Sequence, residues 1–389
     1  MQSTYYIPTR IVFGNHSLSR LSEQKLPGKK ALIVISQGKS TRSNGYLDQL
    51  EAQLNQAQVP FVVFDKIQAN PAKRHVNEGA ELANQAGCDF VIGLGGGSVI
   101  DSAKAIAIMA TNTGDLWDYV NGGSGKGKPM TEKPLPVVAI TTTAGTGTEA
   151  DPWLVITKEE TQEKIGLGND DAFPVLSIVD PTLMVSVPSP FTAYQGFDAL
   201  FHSTEGYLNK TANTFSDLYS LEAIRLLGKS LAAAVHDGAD LQAREDVALA
   251  NTLAGMVEST SGCISEHSLE HAMSAFHPNL PHGAGLIMIS KAYYTYIAEH
   301  HVSDQRMIAM AKALGRSDAA SAMDFVHALV DLQKACGVDT LKMSEYGIKV
   351  EELAKMVENA RENMAGLFTV DPMTLSDEDC LSIYQKSFC

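Results

Sequence analysis

Short, near-continuous runs rich in Val and Ile recur through the first 180 or so residues of this chain and then stop. They are KALIVIS (30–36), FVVFDK (61–66), DFVIGLGGG (89–97), PVVAITTTAG (136–145) and VLSIVD (175–180). Strands that are apolar on both sides belong to parallel sheets covered on both faces. Between the runs lie helix-like stretches such as GYLDQLEAQLNQAQ (45–58) and HVNEGAELANQAG (75–87). This alternation predicts an α/β domain with crossover helices and a Rossmann-like parallel sheet. After Asp180 the character changes. PTLMVSVPSP (181–190) is a Pro-punctuated bridge, and beyond it helical patterns follow one another without strong β-runs. The expected organisation is therefore an α/β domain over 1–183 and an all-α domain over 184–389.

Composition narrows the function. The chain has 389 residues, of which 44% are hydrophobic and 19% charged, so it has the material for packed cores. Its formal net charge of −15 argues against nucleic acid and against an anionic membrane surface as partners. No run of apolar residues is long enough to span a bilayer. Cys88, Cys263, Cys336, Cys380 and Cys389 form no CxxC pair and are odd in number, which points to free thiols in a reducing compartment. The opening MQSTYYIPTRIVFGN has neither a basic nor an apolar targeting segment, so a cytoplasmic location is expected.

Two glycine-bearing loops follow predicted strands. IGLGGGSVIDSAKAIAIMA (92–110) reads as strand, glycine turn and helix. Bare Gly95, Gly96 and Gly97 let backbone N–H groups approach a phosphate, and the following helix turns its positive end toward the same anion. Ser98 is the expected N-cap and a further hydroxyl donor. ITTTAGTGTEAD (140–151) is the second loop, rich in hydroxyls that suit a phosphate, ribose or carboxamide. Ligands of open α/β sheets bind at the carboxyl ends of strands, where both loops lie. GxGxxG itself is not met, because Ser98 occupies its final glycine position, and a simple packing turn is the alternative reading of each loop.

The predicted helices carry a histidine cluster. GFDALFHSTEGYL (196–208) places Asp198 and His202 one turn apart, and SEHSLEHAMSAFHPNLPHGAG (265–285) does the same for His267 and His271. Asp198 sits among Phe197, Ala199, Leu200 and Phe201, where a buried carboxylate needs a partner. A divalent ion held by Asp198, His202, His267 and His282, on helices that face each other, supplies one. A shell of one carboxylate and imidazoles suits iron, zinc or manganese.

GGGSVIDSAKAIA, ITTTAGTGTEAD, GFDALFHSTEGYL and HSLEHAMSAFHPNLPHGAG resemble, in order and spacing, the motifs of the iron-containing (group III) alcohol dehydrogenase family. The similarity starts at YYIPTRIVFG (5–14) and includes QANPA (68–72). It implies a dehydroquinate synthase-like fold with a nicotinamide-nucleotide domain followed by a helical metal domain. By this resemblance Asp198, His202, His267 and His282 bind Fe2+, with Zn2+ and Mn2+ as alternatives. His271 sits beside the metal and serves proton transfer. Gly95, Gly96, Gly97 and Ser98 hold the pyrophosphate. Asn70, Asp101, Thr142, Thr143, Thr146 and Lys164 line the cofactor. The sequence departs from the common pattern at the longer gap between His271 and His282, which contains His277. It departs also at Trp153, and at Glu258 and Glu266, which imply a more polar pocket.

The end of the first long strand, IVISQGKSTRSNG (33–45), carries no acidic residue. Gly38 and Ser40, with Lys39 and Arg42, suit a 2′-phosphate, so NADP is expected ahead of NAD. The implied activity is reversible hydride transfer between NAD(P)(H) and a small primary alcohol or aldehyde, in a homodimer or larger homo-oligomer. Rival readings are a glycerol-dehydrogenase-like polyol oxidoreductase, a dehydroquinate-synthase-like lyase and a non-catalytic binding protein. The lyase would need a basic cluster near the histidines, which the helical half lacks.

Overall fold

The computed structural model describes residues 4–388. Two compact units divide the chain, Ile7–Ser186 and a second comprising Val187–Cys389 with the first residues of the chain. The first unit contains β1 (Arg10–Phe13), β2 (Ala31–Ser36), α1 (Ser40–Ser43), α2 (Tyr46–Gln56), β3 (Phe61–Ile67) and α3 (Lys73–Ala86). It continues with β4 (Phe90–Gly95), α4 (Gly97–Thr111), β5 (Val137–Thr141), β6 (Trp153–Lys158), β7 (Glu163–Gly168) and β8 (Leu176–Val179). A six-stranded sheet runs in the order β1-β8-β5-β4-β2-β3, and every pairing in it is parallel.

The sheet explains the unbroken apolar runs. Leu32 and Val34 of β2 join one buried cluster, with Val91 of β4 and Ile106 of α4. Ala31, Ile33 and Ile35 of the same strand join the cluster on the opposite face, with Leu50 of α2 and Ile92 of β4. Alternate side chains point to opposite faces, so a strand covered on both sides must be apolar at every position. Among the described residues, the opening segment forms a strand over Arg10–Phe13, where it pairs with β8.

An antiparallel hairpin of β6 and β7 was not anticipated from the sequence. Its buried residues, Leu154 and Ile156 opposite Ile165 and Leu167, alternate with less buried ones such as Trp153 and Gly166.

The second unit is helical. Its helices are α5 (Ser189–Leu208), α6 (Thr214–His236), α7 (Leu241–Thr260), α8 (Ser265–Phe276), α9 (His282–Glu299), α10 (Asp304–Ala313), α11 (Met323–Ala335), α12 (Leu353–Asn363), α13 (Ala365–Thr369) and α14 (Asp377–Ser387). Helix α8 is buried at every position from Ser265 to Ala275, polar residues included. Helix α5 is buried continuously from Gly196 to Leu208. A helix enclosed on all sides must satisfy its polar side chains internally. Among the described residues, no helix is long and apolar enough to cross a membrane. Cys88, Cys263, Cys336 and Cys380 are free and buried; Cys389 lies outside the described residues.

Candidate nucleotide loops and metal centre

Strands β4 and β5 are neighbours in register, with Gly95 opposite Thr141, so the two glycine loops emerge side by side. Thr142 N–H donates to Gly95 O at 3.0 Å, which ties the loops together at their root. A Cβ on Gly96 would lie 2.9 Å from Thr143 Cγ2, and one on Gly97 only 2.4 Å from Thr146 Cγ2. The second loop thus occupies the space that any larger residue in the first would need. Helix α4 starts at Gly97, with extended Gly96 as its N-cap. Ser98 therefore lies inside the first turn and is not the cap, a correction to the sequence expectation. The glycine backbone reaches one residue further into the helix than a side-chain-capped start would require. Its Oγ is still at the N-terminal end of α4, where backbone N–H groups are unpaired within the helix.

Asp101 braces this region. Its Oδ1 accepts from Thr148 Oγ1 at 2.7 Å and its Oδ2 from Val155 N–H at 2.9 Å. Burial pushes its pKa up to about 6, against the pull of nearby Lys104. Lys104 is itself fully buried, and its ammonium reaches Thr148 Oγ1, Asp151 Oδ1 and the carbonyls of Asp151 and Trp153. Lys164 is buried on β7 opposite Thr157. Thr157 N–H donates to Pro71 O at 2.8 Å, which joins the hairpin to the turn at Asn70, whose φ is 52°. Gly38 and Ser40 lie exposed beyond β2. Arg42 donates to Asp65 Oδ2 at 2.8 Å. The structure thus brings to Arg42 an acidic residue that its own sequence neighbourhood lacks.

The four expected ligands converge, from three helices where the sequence suggested a facing pair. Helix α5 supplies Asp198 and His202, α8 supplies His267, and α9 begins with His282 behind the N-cap Pro281. Asp198 Oδ1 lies 3.7 Å from His202 Nδ1, 3.6 Å from His267 Nε2 and 3.4 Å from His282 Nε2. The rings of His202 and His267 stack with centroids 4.4 Å apart. Asp198 Oδ1 and His267 Nε2 are both buried without a hydrogen-bond partner.

Orphaned polar atoms in a core are costly unless something joins them. Two donors each about 2.1 Å from a shared tetrahedral ion would lie about 3.4 Å apart, close to the spacing seen here. The donors therefore fit one divalent cation. Burial acts to raise the pKa of Asp198, but the His202 and His282 imidazoles outweigh it and hold the carboxyl well below its usual range. Burial likewise disfavours charge on His267, but the surrounding Cys263 and Glu205 raise its pKa well above the ordinary value.

Several residues around this cluster were not anticipated as parts of it. Cys263 Sγ lies within 4.8 Å of ring nitrogens of both His202 and His267. Glu205 Oε1 accepts from His267 Nδ1, and Glu270 Oε2 accepts from His282 Nδ1. The signal was present in spacing, since Glu205 follows Asp198 by seven positions and Glu270 follows His267 by three. Glu258 Oε2 lies 3.7 Å from His202 Nε2. Glu266 is fully buried, and burial with the adjacent Glu205 pushes its pKa well up. It therefore enters the helical core and does not line a polar pocket. His271 is buried, its Nδ1 2.8 Å from Met364 Sδ and its ring centroid 5.3 Å from that of His282. His277 lies 3.3 Å from Glu352.

The family model for iron-containing alcohol dehydrogenase matches residues 8–181, and the model for the Fe-containing alcohol dehydrogenase C-terminal region matches residues 192–388. The chain belongs to the iron-containing alcohol dehydrogenase family. It is 32% identical over 394 residues to 1,3-propanediol dehydrogenase of Citrobacter freundii, covering 99% of this chain and 98% of that protein. It is also 32% identical to the NAD-dependent methanol dehydrogenase of Bacillus methanolicus, covering 93% and 94%. Among solved structures, an archaeal halo-thermophilic Red Sea brine pool alcohol dehydrogenase, ADH/D1, superposes with a TM-score of 0.95 at 34% identity, covering 100% and 99%. As a member of this family the chain is an NAD-dependent alcohol oxidoreductase, and a polyol is compatible as substrate. The family implies Fe2+ and NAD(H) as its cofactors.

Proposed function

We propose that this dehydrogenase interconverts small primary alcohols and their aldehydes at an ion held by Asp198, His202, His267 and His282. The observation that carries this reading is the approach of three imidazoles to a single buried carboxylate oxygen, at 3.4–3.7 Å. When bound, the nicotinamide supplies the hydride chemistry and the divalent ion a Lewis acid. Gly95, Gly96, Gly97 and Ser98 bind the pyrophosphate at the start of α4, and Thr142, Thr143 and Thr146 orient the cofactor from the adjoining loop. Asp101 holds that loop and the hairpin in place; Lys164 and the turn at Asn70 contact the cofactor's ribose side. His271 takes up and returns the alcohol proton. The names of the propanediol and methanol dehydrogenases support a short primary alcohol as substrate.

The absence of an acidic residue in 33–45, with Gly38, Lys39 and Ser40 in its place, supports use of NADP(H) beside the family's NAD(H). A second reading, NAD(H) alone, is favoured by the Arg42–Asp65 pair, which already engages the nearest guanidinium. Free, buried cysteines support a reducing, cytoplasmic setting. Exposed Phe215 and Leu218, on one face of α6, support a homo-oligomer.

Elemental analysis of anaerobically purified protein, joined to a nicotinamide absorbance assay on short aldehydes with NADH and NADPH, tests the reading. His267→Ala is expected to lose both metal and turnover. Full metal content with full turnover in that variant overturns the ligand assignment.

A further inference from the structure

We propose that Glu270 and Glu205 are positioning residues that fix the ring orientation and proton placement of His282 and His267, and so set how tightly the centre holds a divalent cation. The inference rests on the ligand reading above. Both carboxylates are fully excluded from solvent. A carboxylate only accepts hydrogen bonds, so each paired Nδ1 carries a proton, and Nε2 is the ring atom left to hold a cation when the imidazole is neutral. Those two Nε2 atoms are the ones that face Asp198 Oδ1, at 3.6 and 3.4 Å.

The two supports reach the centre from different directions. Glu205 lies on α5 and also accepts from Ile264 N–H at 2.7 Å, just before α8 begins. It therefore couples the ring of His267 to the start of that ligand's own helix. Glu270 lies on α8 and reaches across to the first residue of α9. Space for it depends on Gly285, where a Cβ would meet Glu270 Cγ at 2.7 Å and Oε1 at 2.8 Å. Glu270, His282 and Gly285 thus form one packed unit. Glu258 stands farther from the third imidazole, its Oε2 3.7 Å from His202 Nε2.

The test uses full-length protein stripped of metal and titrated with Co2+ in competition with a chromophoric chelator, with the visible Co2+ spectrum recorded in parallel. Glu270→Ala and Glu205→Ala are each expected to weaken Co2+ binding by about 10–100-fold. Glu270→Gln, which keeps an acceptor oxygen, should lose less. Gly285→Ala should shift affinity in the same direction as Glu270→Ala by pushing that side chain aside. Thermal unfolding of the metal-free proteins separates affinity from folding, and Glu205→Gln replaces Glu205→Ala if the latter does not fold. Wild-type binding with Glu270→Ala and Glu205→Ala within twofold of it overturns the positioning role and leaves the ligand reading standing. Failure of the wild type to bind Co2+ overturns the ligand reading, and this inference with it.

Discussion

The ammonium of Lys104 lies 2.7 Å from the hydroxyl of Thr148, and both residues are closed off from water. The same ammonium reaches Asp151 Oδ1 at 3.1 Å and two backbone carbonyls, so one charge on α4 holds the loop that leads into β6. Removing one partner of a buried pair leaves the other charged and unmatched, at about 3–5 kcal/mol. Lys104→Met should lose roughly that much stability in urea unfolding. Its KM for nicotinamide nucleotide should also rise, since Asp101 and Thr148 lose a neighbour.

Gly97→Ala probes the contact between the two glycine loops. The new methyl would sit 2.4 Å from Thr146 Cγ2, so one loop must move. Overpacking of this kind costs about 1–3 kcal/mol. The variant should bind nucleotide more weakly by fluorescence titration. Thr146→Ser removes the clashing methyl, and the double variant should recover part of the loss. Additive effects of the two changes count against direct contact as the cause.

Asp371 predicts a pH dependence of folding. Its Oδ1 accepts from Ser265 N–H at 2.9 Å, and burial pushes its pKa up to about 7. A carboxyl raised above its unfolded value near 3.9 binds more protons when folded, so its contribution to stability falls as pH rises from about 4 to about 7. Above that window the cost is constant, on the order of 4 kcal/mol. Asp371→Asn keeps the acceptor for Ser265 and removes the titration. The stability difference between variant and wild type should therefore favour the variant more at pH 8 than at pH 5. Equal differences at both values, from urea midpoints, reject the assignment.

Asp65→Asn addresses cofactor choice. The Arg42–Asp65 pair is about half exposed on both sides, so losing it should leave folding nearly unchanged. Release of the guanidinium should raise the ratio of kcat/KM for NADPH over NADH by about tenfold, the worth of one charged hydrogen bond. An unchanged ratio places the 2′ position out of reach of Arg42.

Some of this was legible in the residues before any coordinates. Asp198 and His202 declare a common helix face by spacing, and the apolar runs of β2, β4 and β5 declare a sheet buried on both sides. The hairpin was not legible in the strand–helix alternation that marked the parallel sheet, because β6 and β7 follow each other with no α-helix between them. The N-cap of α4 was misplaced at Ser98, because residue preference cannot show that Gly96 and Gly97 are pinned by Thr143 and Thr146 from another loop. The Arg42–Asp65 pair joins residues on separate elements. Glu205 and Glu270 stood in the sequence at helical spacings, but only packing tells an inward carboxylate from a solvated one.

The side-by-side exit of the loops after β4 and β5 limits how this enzyme can be altered. A designer who redraws the glycine turn to favour another cofactor must redraw the threonine segment with it. The two interlock at Gly96 with Thr143 and at Gly97 with Thr146, so they behave as one exchangeable cassette.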